Sequence, residues 1–397
     1  MKNILYIVPS DYDSLEKKGV INLILERDEG DFFETVLTLH PFTKNDNVVN
    51  LTTNNKVIEY GWKFNKNYLN NFLIIKIFGT LIILFKLAFV FPFLIKKEKI
   101  SIIRATDPYY MGLIGLCYSK LLNIPFVVSV HSDYDMGEKL GGQTFKILGS
   151  RKLAKNLEKF IYKSCDLVLP IRNYLKKKII NEYDINHKKI KVFPHGINFE
   201  YFDNTEFIDI HQKFNIGKEK KVISFIGRLS KENYVYQFCD IAIKLKELRN
   251  DFILLVVGDG NEYLNIKKQI INSNLNDFIK LVRFQDKDIV TNVRKQNYIS
   301  LCLMGGFSLI EACAGARPVI SYDIEWHYEL VKDAITGYLI EENNIDKVIK
   351  KIDYLFTNYT QSDLLGKNAR DLVFKNHDIN KTIKIKQNIY KRILLEY

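Results

Sequence analysis

The stretch from Ile299 to Asp323, ISLCLMGGFSLIEACAGARPVISYD, leaves the chain few folds to choose from. Ile299 to Leu303 is apolar without alternation, as a parallel strand buried on both faces requires. Gly305 and Gly306 then allow a tight turn and a close approach of backbone to a ligand. Ser308 and Glu311 fit the S-x-x-E capping box, which predicts a helix from Ser308 to about Gly315. Arg317-Pro318 ends it, and Val319-Ile320-Ser321 opens another strand. Such a turn, at the carboxyl edge of a parallel sheet, leads into a helix whose first amides are unpaired. The helix dipole adds about half a positive charge there. The stretch therefore predicts an anion site.

The same strand-turn-helix grammar recurs along the 397 residues, enough for two domains. Asn3 to Val8 reads as a first strand, followed by Gly19 in a charged loop and a helix from Ile21 to Glu26. Ile100 to Arg104, Pro125 to Val130 and Ser164 to Pro170 read as further strands, with a helix from Tyr109 to Leu122. His131 follows the second of these, at the strand edge where α/β sheets hold ligands. Asp133 and Asp135 lie in the same loop and are candidate acceptor contacts. A polar stretch from about Phe202 to Lys220 reads as a linker. The pattern restarts at Lys221 to Ile226, which runs into Gly227-Arg228. It continues through Phe252 to Val257 with Gly258-Asp259-Gly260, and Ile279 to Val282 with Arg283-Phe284. Ile379 to Tyr397 reads as a basic helix.

The net charge is +12, carried largely by lysine in a Lys/Ile/Asn-rich sequence. That balance favours phosphate-bearing ligands or anionic lipid. No nucleic-acid-binding motif accompanies it, so no nucleic-acid partner is expected. Five cysteines stand scattered in apolar surroundings with no C-x-x-C pair, which points to reduced thiols and a cytoplasmic location. No His/Cys metal-ligand spacing is present, so neither a metal nor a cofactor is expected.

GGFSLIEACAGARPVI, with Gly227-Arg228-Leu229 upstream, resembles the nucleotide-sugar site of the family 4 retaining glycosyltransferases. The resemblance covers most of the chain and is specific from about Val222 to Leu339. It implies the GT-B fold: two Rossmann-like, doubly wound α/β domains facing a cleft, here residues 1–205 and 218–379. A C-terminal helix at about 380–397 would cross back to the first domain. It implies a nucleotide-sugar donor whose diphosphate meets Arg228 and the turn amides of Gly305, Gly306, Phe307, Ser308 and Leu309. Glu311 would take the ribose hydroxyls, and Gly19, Gly227, Gly258 and Arg283 would line the donor. His131 would reach the donor sugar. Two departures stand out. Gly305 occupies the place of the family's first Glu, and Asn233 that of its Lys, so Lys231 is the candidate second cation. His195, in Pro-His-Gly, replaces the family's Asn and reads as an interdomain loop residue. Glu325, Trp326 and His327 replace a glycine-rich loop, and the aromatic ring either stacks on a sugar or packs.

Tyr68 to Ile95 is the most apolar part of the chain, followed at once by Lys96, Lys97 and Lys99. Lys76 and Lys86 would each cost about 2.5–3.5 kcal/mol near a bilayer centre, which disfavours spanning. The segment Phe72–Lys99 is therefore expected to rest one face on the sheet and the other on an anionic membrane surface, unless a second layer covers it. The function expected is sugar transfer to a lipid-linked or saccharide acceptor in cell-surface glycan biosynthesis. The alternatives are a nucleotide-sugar epimerase and a non-catalytic nucleotide-sugar-binding protein on the same fold.

Overall fold

The structure, a computed structural model, describes residues 2–17, 21–62, 73–139, 146–147 and 149–396, with the backbone alone at 23 and 73–78. Gly19 and Phe72 lie outside the described residues. The chain divides into two compact units, Met1–Pro194 with Ile383–Tyr397, and His195–Thr382.

The first unit is built on seven strands: β1 (Asn3–Ile7), β2 (Thr35–Thr43), β3 (Asn47–Asn50), β4 (Asn55–Gly61), β5 (Ile102–Ala105), β6 (Phe126–Val130) and β7 (Leu167–Pro170). Their order is β3-β4-β2-β1-β5-β6-β7, with β3 antiparallel to β4 and the other pairings parallel. Successive residues feed opposite cores, as the pleat demands. Leu5 and Ile7 join Phe91 and Ile95 on one face; Ile4 and Tyr6 join Tyr390 and Ile393 on the other. Tyr390 belongs to the last helix, Ile379–Glu396, whose residues from Ile383 onward pack in this unit as expected. Its hydroxyl accepts from Nη1 of the buried Arg104 at 2.8 Å, and Arg104 Nε donates to Ser129 Oγ at 2.8 Å.

The apolar segment is helical through Leu73–Phe85 and Phe91–Lys97, with a π turn at Lys86–Val90 between them. Ile83, Leu87, Phe91 and Ile95 are buried at four-residue spacing. The other side leaves Leu81, Leu84, Phe85, Phe89 and Phe93 exposed, so no second layer covers it among the described residues. Gly79–Lys97 is 19 residues long and, by length and composition alone, apolar enough to cross a membrane; 33% of that window is buried. Lys86 is not on the open face: it pairs with Asp46 and lies 5.7 Å from the Tyr60 ring.

The second unit holds β8 (Lys221–Ile226), β9 (Phe252–Val257), β10 (Ile279–Val282), β11 (Ile299–Leu301), β12 (Val319–Tyr322) and β13 (Tyr338–Ile340). They form a parallel sheet in the order β10-β9-β8-β11-β12-β13, a doubly wound plan. The parallel strands of the first unit follow the same plan. The stretch expected as a linker is part of this unit instead. Asp209 accepts from the amides of His211 and Gln212 to start a short helix, and Ile210, Phe214 and Ile216 enter the core beside Val222 and Ile253. Three apolar residues spaced through polar neighbours were enough to dock it.

Candidate active site

The strand order of the second unit reverses between β8 and β11, which pair in the register Ile299↔Ile223 and Ser300↔Ser224. Adjacent strands lie about 4.8 Å apart, so the loops leaving their carboxyl ends emerge side by side. In an open parallel sheet this is where ligands lodge.

The loop after β8 is sewn to the loop after β9. Gly227 N–H donates to Val257 O at 3.1 Å, Leu229 N–H to Asp259 O at 2.9 Å, and Glu262 N–H to Leu229 O at 3.0 Å. A Cβ at Gly258, whose φ is +152°, would lie 1.9 Å from the Gly227 carbonyl oxygen. Both loops must therefore run as bare backbone where they touch. What projects from them is Arg228. Its guanidinium is exposed and makes no hydrogen bond or ion pair with any described residue, so a surface salt bridge does not account for it. Lys231, in the turn Lys231–Asn233, is exposed and equally unpaired among the described residues. Asn233 points inward, its Nδ2 donating to the Arg228 carbonyl at 2.7 Å. Arg283 is exposed, pairs with Asp259 and stacks 4.2 Å from the Tyr263 ring; Phe284 beside it is exposed.

The loop after β11 opens the helix Phe307–Ala314. Its N-cap is Gly306, with no side-chain cap, so the expected capping box is not formed. The glycine turn is tight enough to start the helix one residue early. Ser308 then lies inside the first turn, where its hydroxyl cannot serve the amides ahead of it. Gly306 and Phe307 are exposed, and the amides of Phe307 and Ser308 donate to no backbone carbonyl among the described residues. Leu309 N–H turns back to Gly306 O at 3.3 Å.

Gly305 is clamped from below. Its N–H donates to His327 Nε2 at 3.2 Å, and its carbonyl accepts from Trp326 Nε1 at 3.1 Å. A Cβ at this position would sit 2.5 Å from Cys302 Sγ and 2.9 Å from Leu309 Cβ, so the shortened turn has no room for a longer residue here. Trp326 is 1% exposed and stacks on no sugar; it packs, and braces the turn. His327 Nδ1 lies 2.7 Å from Ser321 Oγ and 3.1 Å from Tyr322 O. Because the Gly305 amide occupies Nε2, these bonds assign the ring proton to Nδ1. Neither the tryptophan nor the histidine announces this role in the sequence, since the contact spans more than twenty residues.

The Glu311 carboxylate makes no hydrogen bond or ion pair with a described residue. Burial pushes its carboxyl above the usual range, and the charges of Arg294 and Lys287 pull it back. His195 sets its ring edge-on to Phe307, centroids 5.9 Å apart, at the open end of this helix. In the first unit, His131 follows β6, and burial, with the charges of Arg104, Arg172, Arg27 and Lys386, holds its pKa down to about 3. The Asp133 and Asp135 carboxylates already have partners. Asp133 takes Tyr174 Oη at 2.7 Å and Lys178 Nζ at 2.9 Å; Asp135 takes Arg151 Nε at 2.9 Å and Lys155 Nζ at 2.9 Å.

An exposed arginine without a described partner and an open helix amino end, on loops leaving adjacent strands, are both suited to an anion. The family model described as Glycosyl transferases group 1 matches residues 206–372, and that for Glycosyltransferase Family 4 matches residues 68–201. An uncharacterized glycosyltransferase of Methanocaldococcus jannaschii is 27% identical over 250 residues, 60% of this chain and 62% of that protein. The match thus spans just under two thirds of that relative's length. The UDP-Gal:alpha-D-GlcNAc-diphosphoundecaprenol alpha-1,3-galactosyltransferase of Escherichia coli is 26% identical over 329 residues, 81% of each chain. HepE of Anabaena, solved in complex with UDP and glucose, superposes with a TM-score of 0.73 at 16% identity over 99% of both chains. With the second unit matched by the group 1 model, most of the first by the family 4 model, and the whole folded as its neighbours are, the chain is a glycosyltransferase of GT-B fold.

Proposed function

We propose that this glycosyltransferase moves a sugar from a nucleotide-sugar donor to a lipid-linked or saccharide acceptor, with retention of configuration and without a divalent cation. The observation that carries this is the unpaired Arg228 guanidinium on the loop next to the uncapped amides of the helix Phe307–Ala314. The diphosphate lies on the amides of Gly306, Phe307 and Ser308, with Arg228 and Lys231 as its cations; the Leu309 amide is taken by Gly306 O. Gly227, Gly258 and Gly305 keep the walls thin, Arg283 borders the base, and Glu311 takes the ribose hydroxyls. His131 serves the sugar as a neutral hydrogen-bonding ring, and Gly19 belongs to the donor-side loop of the first domain.

The transfer passes through an oxocarbenium-like state. The acceptor oxygen bonds to the anomeric carbon on the face the phosphate leaves. The carbon–phosphate-oxygen bond breaks, and the acceptor proton goes to the leaving phosphate. Positive charge aimed at the departing group is worth on the order of 3 kcal/mol per contact. Arginine, lysine and helix amides supply that charge here, which is why no metal is invoked.

The Escherichia coli relative is named for a diphosphoundecaprenol-linked acceptor, and the Anabaena structure contains UDP and glucose. Both support a UDP-sugar donor and a membrane-borne acceptor for this chain, hence cell-surface glycan synthesis at the cytoplasmic face. The exposed apolar face at Leu81–Phe93, with Lys96, Lys97 and Lys99 after it, is the surface assigned to the membrane.

The test uses UDP-, GDP- and ADP-sugars labelled in the sugar, with and without a diphosphate-lipid-linked saccharide. Label moving to the acceptor, at a rate that chelator changes by less than about twofold, is the expected result. The missing first Glu and the inward Asn233 favour one rival, a binding protein without turnover; donor bound but never consumed establishes it. An epimerised donor in the absence of acceptor would establish the other.

A further inference from the structure

Arg294 lies on the helix Lys287–Gln296 and is 1% exposed. Its one hydrogen bond is long: Nη2 to the carbonyl of Ile226, 3.4 Å, at the last residue of β8 before Gly227-Arg228. Nε and Nη1 have no partner among the described residues. A buried guanidinium left this bare is costly unless a fixed negative charge faces it.

The next helix provides that charge. A Cβ at Gly315 would lie 2.3 Å from the Arg294 carbonyl, so the two helices touch there. Glu311 stands one turn before Gly315 on the same face. The Glu311 carboxylate is faced by Arg294 and Lys287 from one helix and by the Cys302 thiol from the end of β11. Burial pushes that thiol up to about 11, which leaves it uncharged near neutral pH. No hydrogen bond or ion pair closes the Arg294–Glu311 pair.

We propose that Arg294 is a positioning residue for Glu311: its buried charge holds that carboxylate as a bare, two-oxygen acceptor for the vicinal hydroxyls of a ribose. This rests on the nucleotide-sugar reading above. The chemistry follows from the acceptor count. An ionised carboxylate takes two hydroxyl protons at once; a protonated one has lost an acceptor and gained a donor. Burial alone would favour the protonated form, and Arg294 opposes it.

The experiment measures binding of uridine, guanosine and adenosine diphosphates, each beside its 2′,3′-dideoxy analogue, from about pH 5.5 to 8.5. The wild type should prefer the ribose form of its nucleotide about tenfold or more. In Arg294→Met that preference should vanish near neutral pH and return as pH rises, because the unshielded carboxyl then ionises at higher pH. Binding of the dideoxy form should barely change. Arg294→Lys should restore the preference in part. Glu311→Gln supplies an independent arm should Arg294→Met fail to fold: it should lose the ribose preference at every pH. Equal loss of ribose and dideoxy forms in Arg294→Met would make Arg294 a phosphate ligand and overturn the proposal. A pH-insensitive preference in Arg294→Met, or a preference retained in Glu311→Gln, would overturn it too. Failure of the wild type to bind any of the three nucleotides would instead sink the nucleotide-sugar reading itself.

Discussion

Trp326 donates its indole N–H to the carbonyl of Gly305 at 3.1 Å, from a site 1% exposed. The bond fixes the direction of the turn that presents the amides of the helix Phe307–Ala314. Trp326→Phe keeps most of the ring and deletes the donor, leaving the Gly305 carbonyl buried and unpaired. A buried group so orphaned costs about 1–3 kcal/mol. The expected outcome is a melting temperature lower by several degrees and a raised donor KM. An unchanged melt and KM would show that the turn does not depend on this brace.

The turn was legible in the sequence because its requirements are local. Two glycines after an apolar run and before a helical pattern specify backbone shape within six residues, and the strands β8 to β12 announce themselves the same way. The first residue of the helix was not legible. Ser308 and Glu311 satisfy the capping-box spacing, yet the tight turn sets Gly306 as the cap. Trp326 and His327 were out of reach for another reason: their partner lies about a strand and a helix away, and nothing in Glu-Trp-His encodes which backbone they meet. The same holds for Arg294, a residue that composition places on the surface and packing places at 1% exposure. Strands β2, β3 and β4 passed unread because Thr35–Gly61 mixes polar residues into every strand.

Arg228 offers a cleaner separation of function from stability. Its side chain is exposed and makes no hydrogen bond or ion pair with a described residue, so Arg228→Ala should leave the melting temperature within about a degree. Turnover should fall roughly a hundredfold, the equivalent of about 3 kcal/mol. Arg228→Lys should recover part of that, since lysine keeps the charge but not the planar fork. Full turnover in the alanine variant would remove the diphosphate from this loop.

His131 bears on pH. Its pKa stands at about 3 in the fold against an ordinary 6.5, lowered by burial and then by Arg104, Arg172, Arg27 and Lys386. The unfolded chain therefore takes up a proton that the folded chain refuses between those values, and stability falls as pH drops through that window. His131→Asn removes the site. The variant should gain on the order of 1–2 kcal/mol relative to wild type on going from neutral pH to about pH 5, read from urea melts at both. Parallel pH dependences in the two proteins would place a charged His131 in the fold.

The apolar helix of the first unit shows that side-chain count alone does not decide what covers a surface. Ile83, Leu87, Phe91 and Ile95 supply the core, and that is all the sheet can absorb from a helix lying on it. Phe85, Phe89 and Phe93 remain outside, Phe93 at 75% exposure, and contiguous apolar surface of this kind marks an interaction site. Lys96, Lys97 and Lys99 are all exposed just beyond it. Aromatic rings and a basic rim together suit a helix lying in the interface of an anionic bilayer. Each basic residue near such a surface is worth about 1 kcal/mol, so changing all three lysines to Gln should weaken binding to phosphatidylglycerol vesicles roughly a hundredfold. Raised salt should mimic that loss, through screening. Phe89→Asp with Phe93→Asp should abolish vesicle binding at any salt while leaving transfer to a water-soluble saccharide acceptor intact. If the doubly substituted protein still sediments with vesicles, the exposed rings meet something other than lipid.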